Sequence, residues 1–151
     1  AGGFESMLCC DLAVVARNAQ FGLPEAKRGL AAAAGGLMRL PRLLPQRIAM
    51  EMALTGDFYS AERLAAYGLF NAVVEPGEAL HEARQLARRI MANAPLSVAA
   101  SKRVIVEQRD WPTDQMFERQ EPITAPVLAS EDAREGAAAF AQRRPPQWRG
   151  Q

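Results

Sequence analysis

The chain has 151 residues, 49% hydrophobic and 23% charged, with a net charge of +1. That balance suits one globular domain, or one domain with an appendage, and excludes a disordered chain. It gives no electrostatic reason to expect nucleic acid, since only the tail concentrates basic residues, at Arg143, Arg144 and Arg149. No apolar run approaches the roughly 18 residues that span a bilayer, so no membrane partner is expected. The one histidine, His81, excludes a histidine-rich metal site, and a Ser-His-Asp triad would have to use it. Cys9 and Cys10 are adjacent, and helical neighbours point about 100° apart, which disfavours a disulfide between them. Read as free buried thiols, they point to a reducing, cytoplasmic setting. The chain opens on Ala-Gly-Gly without an initiator Met. It reads as the later part of a longer protein, so a missing targeting signal carries no weight.

Residues 2 to 10 are expected to be helical, with Phe4, Met7 and Leu8 on one apolar face. Asp11 ends that helix, and Leu12 to Ala16 reads as a buried strand. Arg17 to Ala19 is a turn, and Gln20 to Leu23 is extended because Pro24 pushes its predecessor out of the helical region. The alanine-rich stretch from Ala31 to Leu44 predicts a helix that Pro41 kinks or splits. Pro45 opens the next helix, and Gly56 stops it. Ser60 caps a short helix with Glu62 in its first turn, ending at Gly68. Leu69 to Val74 is the second strand, closed by Pro76-Gly77. From there the pattern is helical: 78–93, Pro95 to about Arg109, 113–129 and 131–142, with a non-helical tail at Pro145-Pro146. Residues 1–75 are therefore expected to form a mixed α/β core and 76–151 a helical appendage.

The stretch from Ala1 to Leu30 holds two glutamates in unusual settings. Glu5 follows Gly2-Gly3 at the start of a helix, and Glu25 follows Leu23-Pro24. The strand between them is expected to bring both carboxylates to one pocket. Two carboxylates in one pocket can divide labour, one ionised as base and one neutral as acid. Glycines at a helix start let backbone N–H groups approach a developing anion, as in an oxyanion hole. That set suits proton transfer beside a thioester carbonyl, or movement of water across the neighbouring double bond. Taken singly, Glu5 also reads as surface charge, Glu25 as an ion-pair partner of Lys27 or Arg28, and Gly2-Gly3 as helix packing. Gly35-Gly36 matches neither a phosphate loop nor a dinucleotide fingerprint.

The residues AGGFE, CDLAVVARNAQFGLPE, RLPR and AMEMALTGDFYSAERLAAYGLFNAVVE, then NAPLSVAASK and SEDAREGAAAF, resemble the crotonase superfamily, the enoyl-CoA hydratase/isomerase family. The resemblance runs over essentially the whole chain, in the family's order and spacing, but covers only the later part of a family member. It implies an α/β fold of the ClpP/crotonase type. Here that is the C-terminal part of a spiral of ββα units, followed by a helical region that trimerises and caps the active site. It places Gly2 where the family has its second oxyanion N–H, the first lying upstream. It places Glu5 on the glutamate that activates water for attack at Cβ. It places Glu25, in the pattern F-G-x-P-E, on the one that exchanges the Cα proton. Phe140 and Arg143 fall in the C-terminal helix, where the family contacts CoA. Ala31 to Ala34 stand where the family usually carries I-P-G-A, which bears on substrate choice.

Holding both glutamates implies hydration or dehydration over simple isomerisation, with no metal or redox cofactor and CoA carried by the substrate. The implied partners are an acyl-CoA thioester and further copies of the chain, as a trimer or a dimer of trimers. LPEAKRGL, RLPRLLP and SEDAREGAAAFAQRRPPQWRG lean toward carnitinyl-CoA dehydratase-like and actinobacterial hydratase sequences. The expected activity is an enoyl-CoA hydratase. A carnitinyl-CoA-type dehydratase or an enoyl-CoA isomerase is one alternative, and a truncated, inactive oligomerisation partner the other.

Overall fold

Helix α1, Gly2–Met7, begins where Ala1 turns its carbonyl to the N–H groups of Phe4 at 2.8 Å and Glu5 at 3.2 Å. This computed structural model describes residues 1–151, which divide into two units, Ala1–Gln85 and Leu86–Gln151. In the first unit, strand β1, Val14–Ala16, runs parallel to β4, Ala72–Val74, in the register Val14↔Ala72, Val15↔Val73, Ala16↔Val74. The side chain of Asn71 extends that pairing by accepting the Ala13 N–H at 2.8 Å. A second ladder, antiparallel, joins β2, Gln20–Phe21, to β3, Tyr59–Ser60. Each strand is two residues long, too short for a periodicity to show, and β3 has no counterpart in the sequence reading.

Three helices lie between β2 and β4, two of them before β3 and one after it: α2, Gly36–Leu43; α3, Gln46–Thr55; and α4, Ala61–Ala65. Ser60 caps α4 by accepting the Arg63 N–H at 3.2 Å, and Gly56 closes α3 with φ +66°, both as expected. The core gathers Phe4, Phe21, Leu23, Leu40, Met52 and Leu64. Its aromatic centre is edge-on, with the Phe4 and Phe21 rings 5.5 Å apart. Burial of each large side chain contributes about 1.5–3 kcal/mol.

Three expectations are corrected. The helix read from Ala31 starts at Gly36, because Gly35 takes φ +113° and ends any helical run through the alanines. Pro41 does not break α2: Leu40 is fully buried, and Leu44 N–H closes onto its carbonyl at 2.9 Å. The cysteines are free but exposed, not buried, because the helix ends at Met7 and the chain turns before them.

Helix α5, Ala79–Met91, carries the chain into the second unit, which holds α6, Pro95–Glu107; α7, Met116–Leu128; and α8, Glu131–Ala141. These follow the sequence reading to within a few residues, and a 3-10 turn, Thr113–Gln115, precedes α7. Ser130 caps α8 by accepting the Ala133 N–H at 3.0 Å. After α8 the chain reverses, and its tail lies back along that helix.

Candidate active site

Glu5 lies in the short helix α1 on the face that carries Phe4 inward, and only 4% of its surface is exposed. The surface-charge reading of this residue is therefore wrong. A buried carboxylate needs a donor, and Oε1 accepts the Gly36 N–H at 2.9 Å. The turn at Gly35 aims that N–H. A Cβ at Gly36 would lie 3.0 Å from Glu5 Oε1 and 2.9 Å from Leu23 Cδ2. Gly36 thus fits between the first glutamate and the segment that leads, two residues on, to the second.

Glu25 occupies a 3-10 turn, Pro24–Arg28, that ends in a left-handed Gly29. Its neighbours are engaged elsewhere: Lys27 Nζ meets Asp57 at 2.5 Å, and Arg28 Nη1 meets the Pro24 carbonyl at 3.5 Å. Glu25 Oε2 is buried with no hydrogen-bond partner. An acceptor left in that state costs about 1–3 kcal/mol, which is tolerated where a site awaits a donor.

The Glu25 segment is held by the turn after α3. Gly22 packs so closely on that turn that a Cβ would lie 2.8 Å from the Asp57 carbonyl, and a Cβ at Gly56 would lie 3.0 Å from Lys27 Cγ and 3.3 Å from Pro24 Cα. The sequence reading missed Gly22, Gly36 and Gly56 as site-forming residues. The signal was present in the glycines themselves, but the atoms they make room for come from distant segments.

Gly2 is exposed, and a Cβ there would meet nothing within 4 Å. Its N–H belongs to the first turn of α1, whose leading donors have no partner within the helix. Gly3, beside it, lines a cavity of about 400 Å³ with Phe4, Met7 and Phe21. The other two candidates belong to the second unit. Phe140 stands out from α8 with 88% of its surface exposed. Arg143 lies just past the helix end, with φ +53°.

A parallel β pairing bridged by helices, two buried glutamyl oxygens and an open helix start define an α/β protein with a candidate acid–base site. The family model for enoyl-CoA hydratase/isomerase matches residues 1–151, and the chain belongs to that family. Solved structures agree. An enoyl-CoA hydratase EchA1 from Mycobacterium marinum superposes with TM-score 0.98 at 55% identity, over 100% of this chain and 60% of that one. An enoyl-CoA hydratase from Mycobacterium tuberculosis H37Rv does so with TM-score 0.97 at 55% identity, with the same shares covered. Among curated relatives, a carnitinyl-CoA dehydratase of Salmonella arizonae is 42% identical over 99% of this chain and 59% of its own length. The chain thus spans about 60% of the length of these relatives.

Proposed function

We propose that the complete protein adds water across the 2,3 double bond of an enoyl-CoA thioester. The observation that carries this reading is that Glu5 is buried and held by an N–H while Glu25 Oε2 is buried without a partner. Glu5, its carboxylate fixed by Gly36, takes a proton from water as the water oxygen bonds to Cβ. The π electrons move toward the thioester, and its oxygen gains negative charge. The Gly2 N–H and an upstream donor stabilise that charge. Glu25 delivers a proton to Cα, the enolate collapses to the 3-hydroxyacyl thioester, and the net change is one water added. Each step uses side chains and backbone donors and asks for no metal or redox cofactor. Phe140 and Arg143 supply an aromatic face and a cation for CoA. The protein works as a homo-oligomer in the cytoplasm.

The test is hydration of crotonyl-CoA by the complete protein beside Glu5→Ala and Glu25→Ala. Each variant is expected to lose about 10²–10⁴-fold in kcat, the usual contribution of a general acid or base. Wild-type rates in both variants would sink the reading. The resemblance to the Salmonella carnitinyl-CoA dehydratases supports a second reading, dehydration of a charged acyl-CoA. A substrate panel separates the two: turnover of crotonyl-CoA but not of a trimethylammonium-bearing acyl-CoA favours the first.

A further inference from the structure

Residues 143–151, after α8, are held by a dense set of hydrogen bonds. Arg143 N–H bonds to the Phe140 carbonyl at 3.2 Å and Arg144 N–H to the Ala139 carbonyl at 3.1 Å. This paired closure puts its left-handed residue at Arg143, a position glycine normally fills. Arg143 is also the one non-glycine residue of the chain with positive φ. Such a conformation persists where the surroundings over-determine it.

Those surroundings are a strap, residues 144–151, that runs back along α8. The Arg144 guanidinium forks onto Glu135 at 2.6 and 2.8 Å, and Glu135 also accepts the Gln147 N–H at 2.8 Å. The Trp148 indole donates to the Ala92 carbonyl at 2.9 Å. Its ring fits where a Cβ on Gly136 would lie 3.4 Å away. Asp132 then takes two successive backbone donors, Arg149 N–H on Oδ1 at 2.7 Å and Gly150 N–H on Oδ2 at 2.9 Å. The Gln151 carbonyl closes the strap on the Glu131 N–H at 2.8 Å.

Asp132 is only 2% exposed. An acidic residue that merely complements a helix dipole stays solvated, and Ser130 already caps α8. Burying this carboxylate under the strap uses both its oxygens on the tail.

We propose that Asp132 is a positioning residue: by anchoring the strap it holds the left-handed turn that presents Phe140 and Arg143 to the CoA portion of the substrate. This rests on the reading of Phe140 and Arg143 as CoA contacts. The strap acts on where those two side chains point and takes no part in the chemistry at Cα and Cβ.

The experiment measures kcat and KM of the complete protein with crotonyl-CoA and with crotonyl-N-acetylcysteamine, which lacks the nucleotide. Asp132→Ala is expected to raise KM for the CoA thioester about tenfold, the size of one lost charge-assisted contact. Its kcat should stay within about twofold, and its KM for the short thioester should not change. Asp132→Asn, which keeps one acceptor oxygen, should fall between. Arg143→Ala serves as reference. If Arg143→Ala raises KM for the CoA thioester and Asp132→Ala does not, the strap proposal alone is overturned. If Arg143→Ala leaves it unchanged, the CoA reading falls and the proposal with it. An equal loss on both thioesters marks general destabilisation and also overturns it. Should Asp132→Ala not fold, Asp132→Asn and Trp148→Phe carry the same expectation, and no selective rise in either overturns it. If the unaltered protein turns over neither thioester, the hydratase reading has failed. The Kd of crotonyl-CoA by calorimetry then replaces KM, with the same tenfold expectation for Asp132→Ala, and an unchanged Kd overturns the proposal.

Discussion

Gly36 shows what a single residue contributes to this molecule. Its N–H holds Glu5, and the absence of a side chain lets Glu5 and Leu23 close on it from two sides. The two glutamates stood out in the sequence by their flanks, Gly2-Gly3 and Leu23-Pro24, but it was the family resemblance, not the flanks, that set them apart from surface charge. Gly36 did not stand out, because the atoms it makes room for belong to residues 31 and 13 positions away. Gly2 is the opposite case, with open space where its Cβ would be, and its proposed part is played by its backbone alone. That makes the oxyanion role separable from folding. Gly2 is the first residue of α1, after Ala1 as cap, and proline is tolerated at the first helical position because its missing N–H has no helical partner there. Gly2→Pro is therefore expected to fold with nearly unchanged Tm while losing about 10²–10³ in kcat, the cost of one oxyanion donor. Gly2→Ala, which keeps the N–H, should stay close to wild type. Equal activity in the two variants would remove Gly2 from the site.

At the scale of elements, the caps were the most legible features. Ser60 and Gly56 act through atoms within four residues of themselves, so the local sequence is enough to place them. The two-residue strands β2 and β3 were only half legible: Pro24 announced an extended segment before it, but nothing near Tyr59 announced its partner. The alanines at 31–34 favour helix by propensity, and the positive φ of Gly35 overrode them. The strap along α8 has its own electrostatic signature. Glu135 is held at a pKa of about 2, below its ordinary 4.5, first by its hydrogen bond from Arg144 and then by the Gln147 N–H. A folded pKa below the unfolded one means that this stabilisation is complete above about pH 4.5 and is lost as pH falls toward about 2. In that window the strap should lift while α8 persists. In a Trp111→Phe background, Trp148 emission is expected to shift to the red between those pH values. Glu135→Gln, which cannot titrate, should abolish the step. A step of unchanged size and midpoint in that variant would assign it to another group.

At the scale of the whole molecule, the two units differ in how they bury apolar surface. The first closes around a cluster that runs from Phe4 to Phe70. The second buries only three apolar residues, Ala94, Ile123 and Ala139, and α6 buries none. It exposes Met91, Ile105, Leu128 and Phe117, the last with 86% of its surface open. Helix positions there could be read from amphipathic spacing, but spacing cannot say what covers the apolar faces, since a period of 3.6 looks alike whether the partner is the same chain or another copy. Where such side chains form one contiguous patch, they mark an interaction face. The family resemblance implies that other copies cover it, as a trimer or a dimer of trimers. Phe117 offers the sharpest probe, because burying one such ring contributes about 1.5–3 kcal/mol and placing a charge there opposes association strongly. Sedimentation velocity on the complete protein should give a mass that is a multiple of three protomers. Phe117→Asp, harmless to an isolated chain because the ring is already in water, should shift the distribution to smaller species at micromolar concentration. A monomer in both forms would leave the second unit's apolar faces to some other partner, and an unchanged oligomer in Phe117→Asp would move the interface away from α7.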